Sequence, residues 1–218
     1  MSTVSPTTPS TPPTTRSEAG TRNVVCRTVK LEGLTPLMFD RYPGDNDTKL
    51  TPSQKFYFAS DGCTLVLPSN NVMSFLSAKN TDSAPKRLLD SRKYKKFTEA
   101  CGSFVSIMST DPRHGENLVL TRDDEPLVFS GFDPDTETCP TTGAYILRNV
   151  ARLKDGVPNP KVRPVLPLPW ALEFQLTLLP NNQIQEQQVK NIFEEGGTAV
   201  GLGTWRGRYG KFRVVEWA

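Results

Sequence analysis

The residues with the clearest chemistry lie near the end of the chain, where glycines, cations and aromatic rings alternate. Six glycines fall within the fifteen residues 196–210. Glycine lets backbone N–H groups turn outward at positive φ and lets a phosphate chain approach, because it has no Cβ. Arginine can hold phosphate oxygens through paired hydrogen bonds, and aromatic rings can stack on unpaired bases. The residues predicted to bind nucleic acid here are Gly201, Gly203, Trp205, Arg206, Gly207, Arg208, Tyr209, Gly210 and Lys211.

This segment predicts a loop that presents bare main-chain amides and guanidinium groups to a single-stranded nucleic acid. Two nucleotide-binding motifs are excluded. No Ser or Thr follows a Lys as a P-loop requires, and the segment does not open a helix after a strand as a dinucleotide-binding motif does. The alternative is a flexible hairpin in which Trp205 and Tyr209 fill the edge of the core and the arginines are simply hydrated.

Two further groups of cations could extend such a surface. A helix predicted over 85–100 carries six basic residues against two acidic ones, which would suit contact with a phosphate backbone. The binding residues predicted on this helix are Arg92, Lys93, Lys95 and Lys96. The second group surrounds the prolines of 157–169, a stretch predicted to be an extended connector. Its members are Arg148, Arg152, Lys154, Lys161 and Arg163. A solvated charged surface is the alternative for both groups.

Residues for catalysis or metal binding are few. His114 is the only histidine, which excludes a site built from two histidines, and it lies in a turn over 111–115. Four cysteines lie far apart without a C-x-x-C pair, so we expect free thiols and no zinc site. The carboxylates of 123–125 and 133–135 are neighbours, but adjacent strand positions point to opposite sides, which disfavours a two-metal nuclease. The sequence thus predicts no metal, no cofactor and no catalytic residue, with His114 as the one candidate.

The composition describes a globular chain with a tail. Its 218 residues are 36% hydrophobic and 22% charged, with a net charge of +3. No apolar run reaches the roughly 18 residues of a membrane span, so we expect a cytoplasmic protein without membrane contact. Residues 1–21 hold 11 Ser or Thr and 4 Pro and are predicted to be disordered. Residues 22–218 are predicted to form one domain, with an irregular acidic insertion over about 111–143.

The elements that must position the loop are clearest in the last fifty residues or so. Alternating apolar residues over 172–178 predict a half-buried strand. A helix over 182–200, the glycine-rich loop and a strand over 211–217 follow, and a strand over 24–34 with two helices precedes them. This order predicts an α+β fold: a ferredoxin-like or RRM-like antiparallel sheet with helices on one face and the opposite face open.

A helix that runs into glycine, a hydrophobic residue and glycine, then basic residues and further glycine before a strand, resembles the signature loop of the RAMP superfamily of CRISPR-associated proteins. Here those residues are Gly201, Leu202, Gly203, Arg206, Gly207, Arg208 and Gly210. The opening strand with Gly33, over 31–37, is similar to the start of such proteins, and short phage-encoded proteins are similar at both ends. The middle of the chain is not matched. The resemblance implies an RRM-like fold, guide-RNA binding and side-by-side assembly along the RNA.

Three hypotheses follow. The first is a guide-RNA-binding subunit of a CRISPR-type ribonucleoprotein, associated with other subunits or with copies of itself. The second is a phage single-stranded DNA-binding protein of replication or recombination. The third is a metal-independent endoribonuclease that processes repeat RNA with His114 as base, because some RAMP proteins use a histidine near this loop. We expect a binding protein, in which Arg206 and Arg208 can both be replaced without loss of thermal stability.

Overall fold

The computed structural model describes residues 23–45, 47–79, 82–152 and 158–218, without the side chains of 151 and 152. The predicted tail and Lys154 lie outside the described residues. The strands are β1 (Val25–Gly33), β2 (Leu37–Met38), β3 (Tyr57–Phe58), β4 (Leu65–Pro68), β5 (Val105–Met108), β6 (Asn117–Arg122), β7 (Glu125–Pro126), β8 (Tyr145–Arg152), β9 (Pro158–Leu166), β10 (Ala171–Leu178) and β11 (Phe212–Trp217). The helices are α1 (Ser69–Ser77), α2 (Ala84–Leu88), α3 (Ser91–Phe104) and α4 (Glu186–Ala199). None of these helices is long and apolar enough to cross a membrane.

An antiparallel sheet forms the centre of the fold. Its strands lie in the order β11-β1-β10-β6-β4-β3, with β5 also beside β10 and β7 beside β6. The alternation predicted for β10 is present, since Phe174 and Leu176 are buried and Gln175 between them is exposed. Strand β1 follows the same period, with Val29 opposite Phe174 and Leu31 further along, both buried. The predicted α+β class is confirmed.

Aromatic rings fill the space between the sheet and the helices. Phe193 of α4 lies 5.4 Å from Phe75 of α1 and 5.9 Å from Phe174 of β10, measured between ring centroids. Phe212, at the start of β11, lies 5.4 Å from Phe75. The helices therefore cover the face of the sheet that carries the apolar side chains of β10. The end of α4 and the start of β11, which bracket the glycine-rich loop, are both anchored in this core.

The single helix predicted over 85–100 is two helices, α2 and α3. Asp90 lies between them with an extended backbone, and its side chain accepts hydrogen bonds from the backbone N–H groups of Arg92 and Lys93 at 3.1 and 3.0 Å. A carboxylate here satisfies amides that the first turn of a helix leaves free. Helix α2 packs against α4, and α3 packs against α1.

The proline-rich stretch predicted as a connector is extended, but it is a strand. β9 pairs with β8 in a long antiparallel hairpin and with β2 at the base of that hairpin. Pro158, Pro160 and Pro164 are separated by even numbers of residues along β9, so their backbone nitrogens, which carry no hydrogen, all lie on the same edge of the strand. The carbonyl of Pro164 accepts from the Phe39 N–H at 3.0 Å on the β2 side, which places that edge away from β8. The prolines therefore leave the β8–β9 ladder intact.

The acidic stretch over 111–143, predicted as an irregular insertion, contributes a strand to the central sheet. β6 lies between β10 and β4 and pairs antiparallel with both. Leu118 and Leu120 on β6 are buried in the core. The irregular parts are thus residues 111–116 before β6 and the segment between β7 and β8.

Candidate nucleic-acid interface

The glycine-rich loop connects α4 to β11 and folds tightly on itself. Gly201 and Gly210 have positive φ angles of 83° and 70°. A Cβ at Gly201 would lie 2.5 Å from the carbonyl oxygen of Gly210, and a Cβ at Gly210 would lie 2.0 Å from that of Leu202. No side chain fits at either position. These two glycines are therefore required by the contact between the two limbs of the loop.

The N–H groups of Gly201, Gly203, Gly207 and Gly210 are bonded inside the molecule, which corrects the expectation that the loop presents bare glycine amides. Gly203 N–H donates to Asn71 Oδ1 at 2.8 Å, and Gly210 N–H donates to the Pro36 carbonyl at 2.8 Å. Gly207 N–H donates to the carbonyl of the residue that follows α4, at 2.6 Å. The glycines thus shape the loop and attach it to α1 and to the segment before β2. The contacts to a nucleic acid are therefore expected from the side chains of the loop.

Arg206, predicted to pair with phosphate, is held within the protein. Its guanidinium donates to the carbonyls of Asp82, Asn71 and Gly203 at 3.0, 3.2 and 3.4 Å, and to Ser74 Oγ at 3.2 Å. Burial lowers the pKa of this guanidinium. The side chain ties the loop to α1 and to the residues before α2, a structural role that the sequence did not predict.

Three side chains of the loop still reach solvent, and we call Trp205, Arg208 and Tyr209 the aromatic platform. The rings of Trp205 and Tyr209 lie 5.7 Å apart between centroids, inclined at 37°. Arg208 Cζ lies 5.2 Å from the centroid of the Trp205 ring, and Arg208 forms no ion pair among the described residues. Trp205 is 43% exposed and has a φ of 55°, a conformation rare for a bulky residue and concentrated at binding sites. Lys211 follows the platform and is half-buried.

The β8–β9 hairpin begins beside the platform. Tyr145, the first residue of β8, has a raised pKa because burial and then the nearby Tyr209 disfavour its ionised form. Arg148, further along β8, forms a two-pronged ion pair with Glu137, and these hydrogen bonds lower the pKa of that carboxyl. The side chain of Arg152 lies outside the described residues. Sequence reasoning missed Tyr145, because only the pairing of distant segments brings it to Tyr209.

A half-buried carboxylate fixes the base of this hairpin. Asp40 accepts from Arg163 Nε at 2.7 Å and lies 3.0 Å from Lys55 Nζ. Burial alone would raise the pKa of Asp40, but the hydrogen bonds from Arg163 and Lys55 outweigh it and hold that pKa below its ordinary value. Arg163 is therefore committed to the protein. Lys161 has no ion pair in the described part of the chain.

The basic residues of α3 are exposed, as predicted, but they do not join the platform. They are Arg92, Lys93, Lys95 and Lys96. Lys93 and Lys96 line a groove that includes Ile184, just before the start of α4, whereas the glycine-rich loop follows the end of α4. The 14 residues of α4 span about 21 Å. The groove extends along α4 as far as Glu195, but none of its lining residues belongs to the platform.

His114 lies on the open face of the sheet, whereas the loop belongs to the helical side. It lines a cleft of about 660 Å³ together with Lys30, Asp124 and Arg113. That cleft contains four carboxylates against two cations besides His114, a balance that repels a phosphate chain. Asp111 beside His114 is hydrogen-bonded by Arg113, which lowers the pKa of Asp111 to about 2. The structure does not bring His114 and the glycine-rich loop together.

The neighbouring carboxylates have structural partners. Asp123 and Asp124 form the two-residue turn between β6 and β7, with φ angles of 52° and 64° as a type I′ hairpin requires. Asp124 lies 2.5 Å from Lys30 Nζ. Asp133 accepts from the backbone N–H of Asp135 at 2.9 Å within a loop. Within the described ranges, no three or more side chains of His, Cys, Asp or Glu converge as metal ligands would.

Comparison with known proteins gives a likeness of fold. No protein-family model matches this chain, and no curated protein matches it. Among solved structures, one similar chain belongs to the cryo-EM structure of the Type III-B Cmr-β bound to cognate target RNA, with a TM-score of 0.53 at 9% sequence identity. The match covers 90% of this chain and 60% of that chain, so this protein spans less than two thirds of the length of its neighbour. At this identity, the likeness shows a shared fold.

Proposed function

We propose that this protein binds single-stranded RNA through the aromatic platform, as one subunit of a CRISPR-type ribonucleoprotein that also contains other protein subunits or further copies of this chain. The observation that carries the proposal is an exposed tryptophan, held at positive φ and covered by an arginine without an ion pair. A bulky residue in this conformation costs free energy that the surrounding bonds must offset, and such strain is concentrated at binding sites.

The platform offers the two contacts that an unpaired strand needs. A base can stack on Trp205 or Tyr209, at about 1–3 kcal/mol each, and Arg208 can move from the indole ring to a phosphate. The bonds of Arg206 and of the loop amides fix the loop before RNA arrives, so binding does not have to order it. Lys211 and Tyr145 lie where they can extend the contact along the strand.

Two likenesses support RNA and a CRISPR setting for this surface. The loop residues Gly201, Gly203, Gly207 and Gly210 follow the RAMP pattern, and the fold is that of a chain in a Cmr-β complex bound to target RNA. In this proposal Arg208 contacts the RNA, whereas Arg206 and the glycines position the platform. The basic face of α3 is outside the RNA site.

Fluorescence anisotropy with a labelled 15-nucleotide uridine-rich RNA tests the platform. We expect Arg208→Glu and Trp205→Ala each to weaken binding at least about tenfold, because each removes a phosphate or stacking contact. Arg87→Glu, an exposed arginine on α2, is the matched control and should change binding less than twofold, an effect on the order of measurement error. Undiminished binding by Arg208→Glu would refute the proposal.

A single-stranded DNA of the same sequence is the second arm of this titration. Preference for RNA would favour the ribonucleoprotein subunit, since only RNA has the 2′-hydroxyl that a protein can recognise. Tighter binding of DNA would instead favour the phage-type DNA-binding protein. Intact RNA after prolonged incubation would exclude the endoribonuclease, and cleavage that survives His114→Ala would exclude His114 as its base.

A further inference from the structure

A groove on the helical side is built differently from the aromatic platform. It runs between α2 and α3 on one side and the segment from Gln183 to Glu195, which includes most of α4, on the other, with a volume of about 340 Å³. Its apolar lining residues are Leu88, Leu89, Phe97, Ile184 and Ile192. Phe97 and Ile192 are buried, whereas Leu88 and Leu89 are half-buried. Apolar surface left open in a groove is a frequent feature of protein interaction sites.

The rim of the groove on the α3 side is cationic. Lys93 and Lys96 line the groove, and further cations on α2 and α3 surround it. Those without an ion pair in the described part of the chain are Lys86, Arg87, Arg92, Lys95 and Lys96. Arg148 and Arg163, in contrast, are paired with carboxylates. Glu195 is the one carboxylate among the residues that line the groove, and the unpaired cations of α2 and α3 outnumber it, so the charge around the groove favours an anionic partner.

We propose that this groove docks an acidic amphipathic segment of a partner protein, with leucine-like side chains inserted between α3 and α4 and carboxylates facing Lys93 and Lys96. An amphipathic helix in an apolar groove is a recurrent mode of peptide recognition, and charge complementarity sets its direction. RNA fits this surface less well. The groove offers no exposed aromatic ring for stacking, since Phe97 is 7% exposed, and a phosphate chain would leave the apolar floor empty.

Two other possible occupants of the groove, the chain's own residues 1–22 and a second copy of the chain, do not offer an acidic segment with exposed apolar side chains. The chain's own residues 1–22 contain one acidic residue against two arginines and almost no large apolar side chain. In a second copy, the acidic turn at Asp123 and Asp124 is already paired through Lys30, and the leucine that follows it is buried. The surface therefore fits a different protein, and its use does not depend on the RNA site.

The probe for this groove is a synthetic 16-residue peptide with leucines at positions 4, 7, 8 and 11 and glutamates at most others, labelled with fluorescein. We expect saturable binding that Lys96→Glu weakens about tenfold, because the reversed charge faces the glutamates. Lys95→Glu is the matched control: it makes the same change at the neighbouring exposed lysine, which does not line the groove, and it should weaken binding less than about twofold. Replacing the leucines of the peptide by alanine should abolish binding, which simple charge attraction would not.

Methyl NMR spectra of the full chain locate the peptide. We expect shifts at the methyl groups of Leu88, Leu89, Ile184 and Ile192 and not around the platform. No saturable binding, equal binding of the alanine peptide, or equal loss in Lys95→Glu and Lys96→Glu would overturn the proposal. If RNA competes with the peptide, and if both lysine variants weaken RNA binding, α3 would instead be assigned to the nucleic acid. Arg208→Glu should leave peptide binding unchanged, which separates failure of the groove from failure of the RNA site.

Discussion

At the scale of residues, Arg206 and Arg208 show how two like side chains in one loop take different roles. Arg206 turns inward to four acceptors, whereas Arg208 stays outside on the Trp205 ring. The residue types were enough to predict a cationic and aromatic surface. They could not predict which arginine turns inward, because the acceptors on Asn71 and Asp82 are more than a hundred positions away along the chain.

The two arginines should therefore differ in their effect on stability, contrary to the expectation from sequence that both are dispensable. Arg206→Ala removes four hydrogen bonds, three of them partly buried, and we expect it to lower the free energy of unfolding by about 2–3 kcal/mol. Arg208→Ala should leave that free energy unchanged within error. Urea unfolding of the two variants measures the difference, and equal stability of both would contradict the role given to Arg206.

The glycines of the loop should also fall into two classes. Gly210→Ala would bring a Cβ to 2.0 Å from the Leu202 carbonyl oxygen, a backbone atom that cannot move aside. We expect a loss of more than about 3 kcal/mol or failure to fold. Gly207→Ala is the control: Gly207 also has positive φ, but the nearest atom to its Cβ would be 4.0 Å away, so the loss should be about 1–2 kcal/mol. Thermal melting ranks the two, and similar losses would refute the tight contact.

At the scale of elements, the long hairpin of β8 and β9 depends on its base. The sequence predicted an extended proline-rich stretch, and the alternation of Pro158, Pro160 and Pro164 explains why that stretch can still pair with β8. The pairing with β2 and the position of Asp40 were not predictable, because both arise from contacts between distant segments. The break between α2 and α3 at Asp90 could have been predicted, because Asp is a strong N-cap residue. It was missed because the residues on both sides of Asp90 favour a helix.

Asp40 should make the stability of this region depend on pH. Its pKa in the folded protein is below the unfolded value of about 3.9, so its contribution is fully present above that pH and is lost as the pH falls through the folded-state pKa. We expect Asp40→Asn to lower the urea midpoint near pH 7, and the difference from the native protein to shrink between about pH 5 and pH 2. Asp135→Asn, which makes the same change from carboxylate to amide at an exposed loop position, is the control. A difference for Asp40→Asn that stays constant with pH would contradict this role.

At the scale of the whole molecule, the two proposed binding surfaces lie on the helical side rather than on the open face of the sheet. An RRM-like fold suggested that the open face was free for a ligand. Lys30 is paired there with Asp124 and Arg213 with Glu32, at 2.5 and 2.6 Å, so these charges balance one another. The fold class followed from the order of elements, but the location of the proposed site depended on ion pairs between strands that sequence spacing does not reveal.

The small number of free cations near the platform limits how strongly one copy can hold RNA. We assign the phosphate contacts to Arg208, Lys211 and Lys161, which are described without an ion pair, so we expect about three such contacts. For a single strand this corresponds to a slope of about −2 in a plot of log K against log salt concentration. Arg208→Ala should make the slope shallower by about 0.7, whereas Arg206→Lys should leave it unchanged, since Arg206 contacts no phosphate. A slope steeper than about −4 would mean that cations outside the platform, such as those of α3, take part in RNA binding.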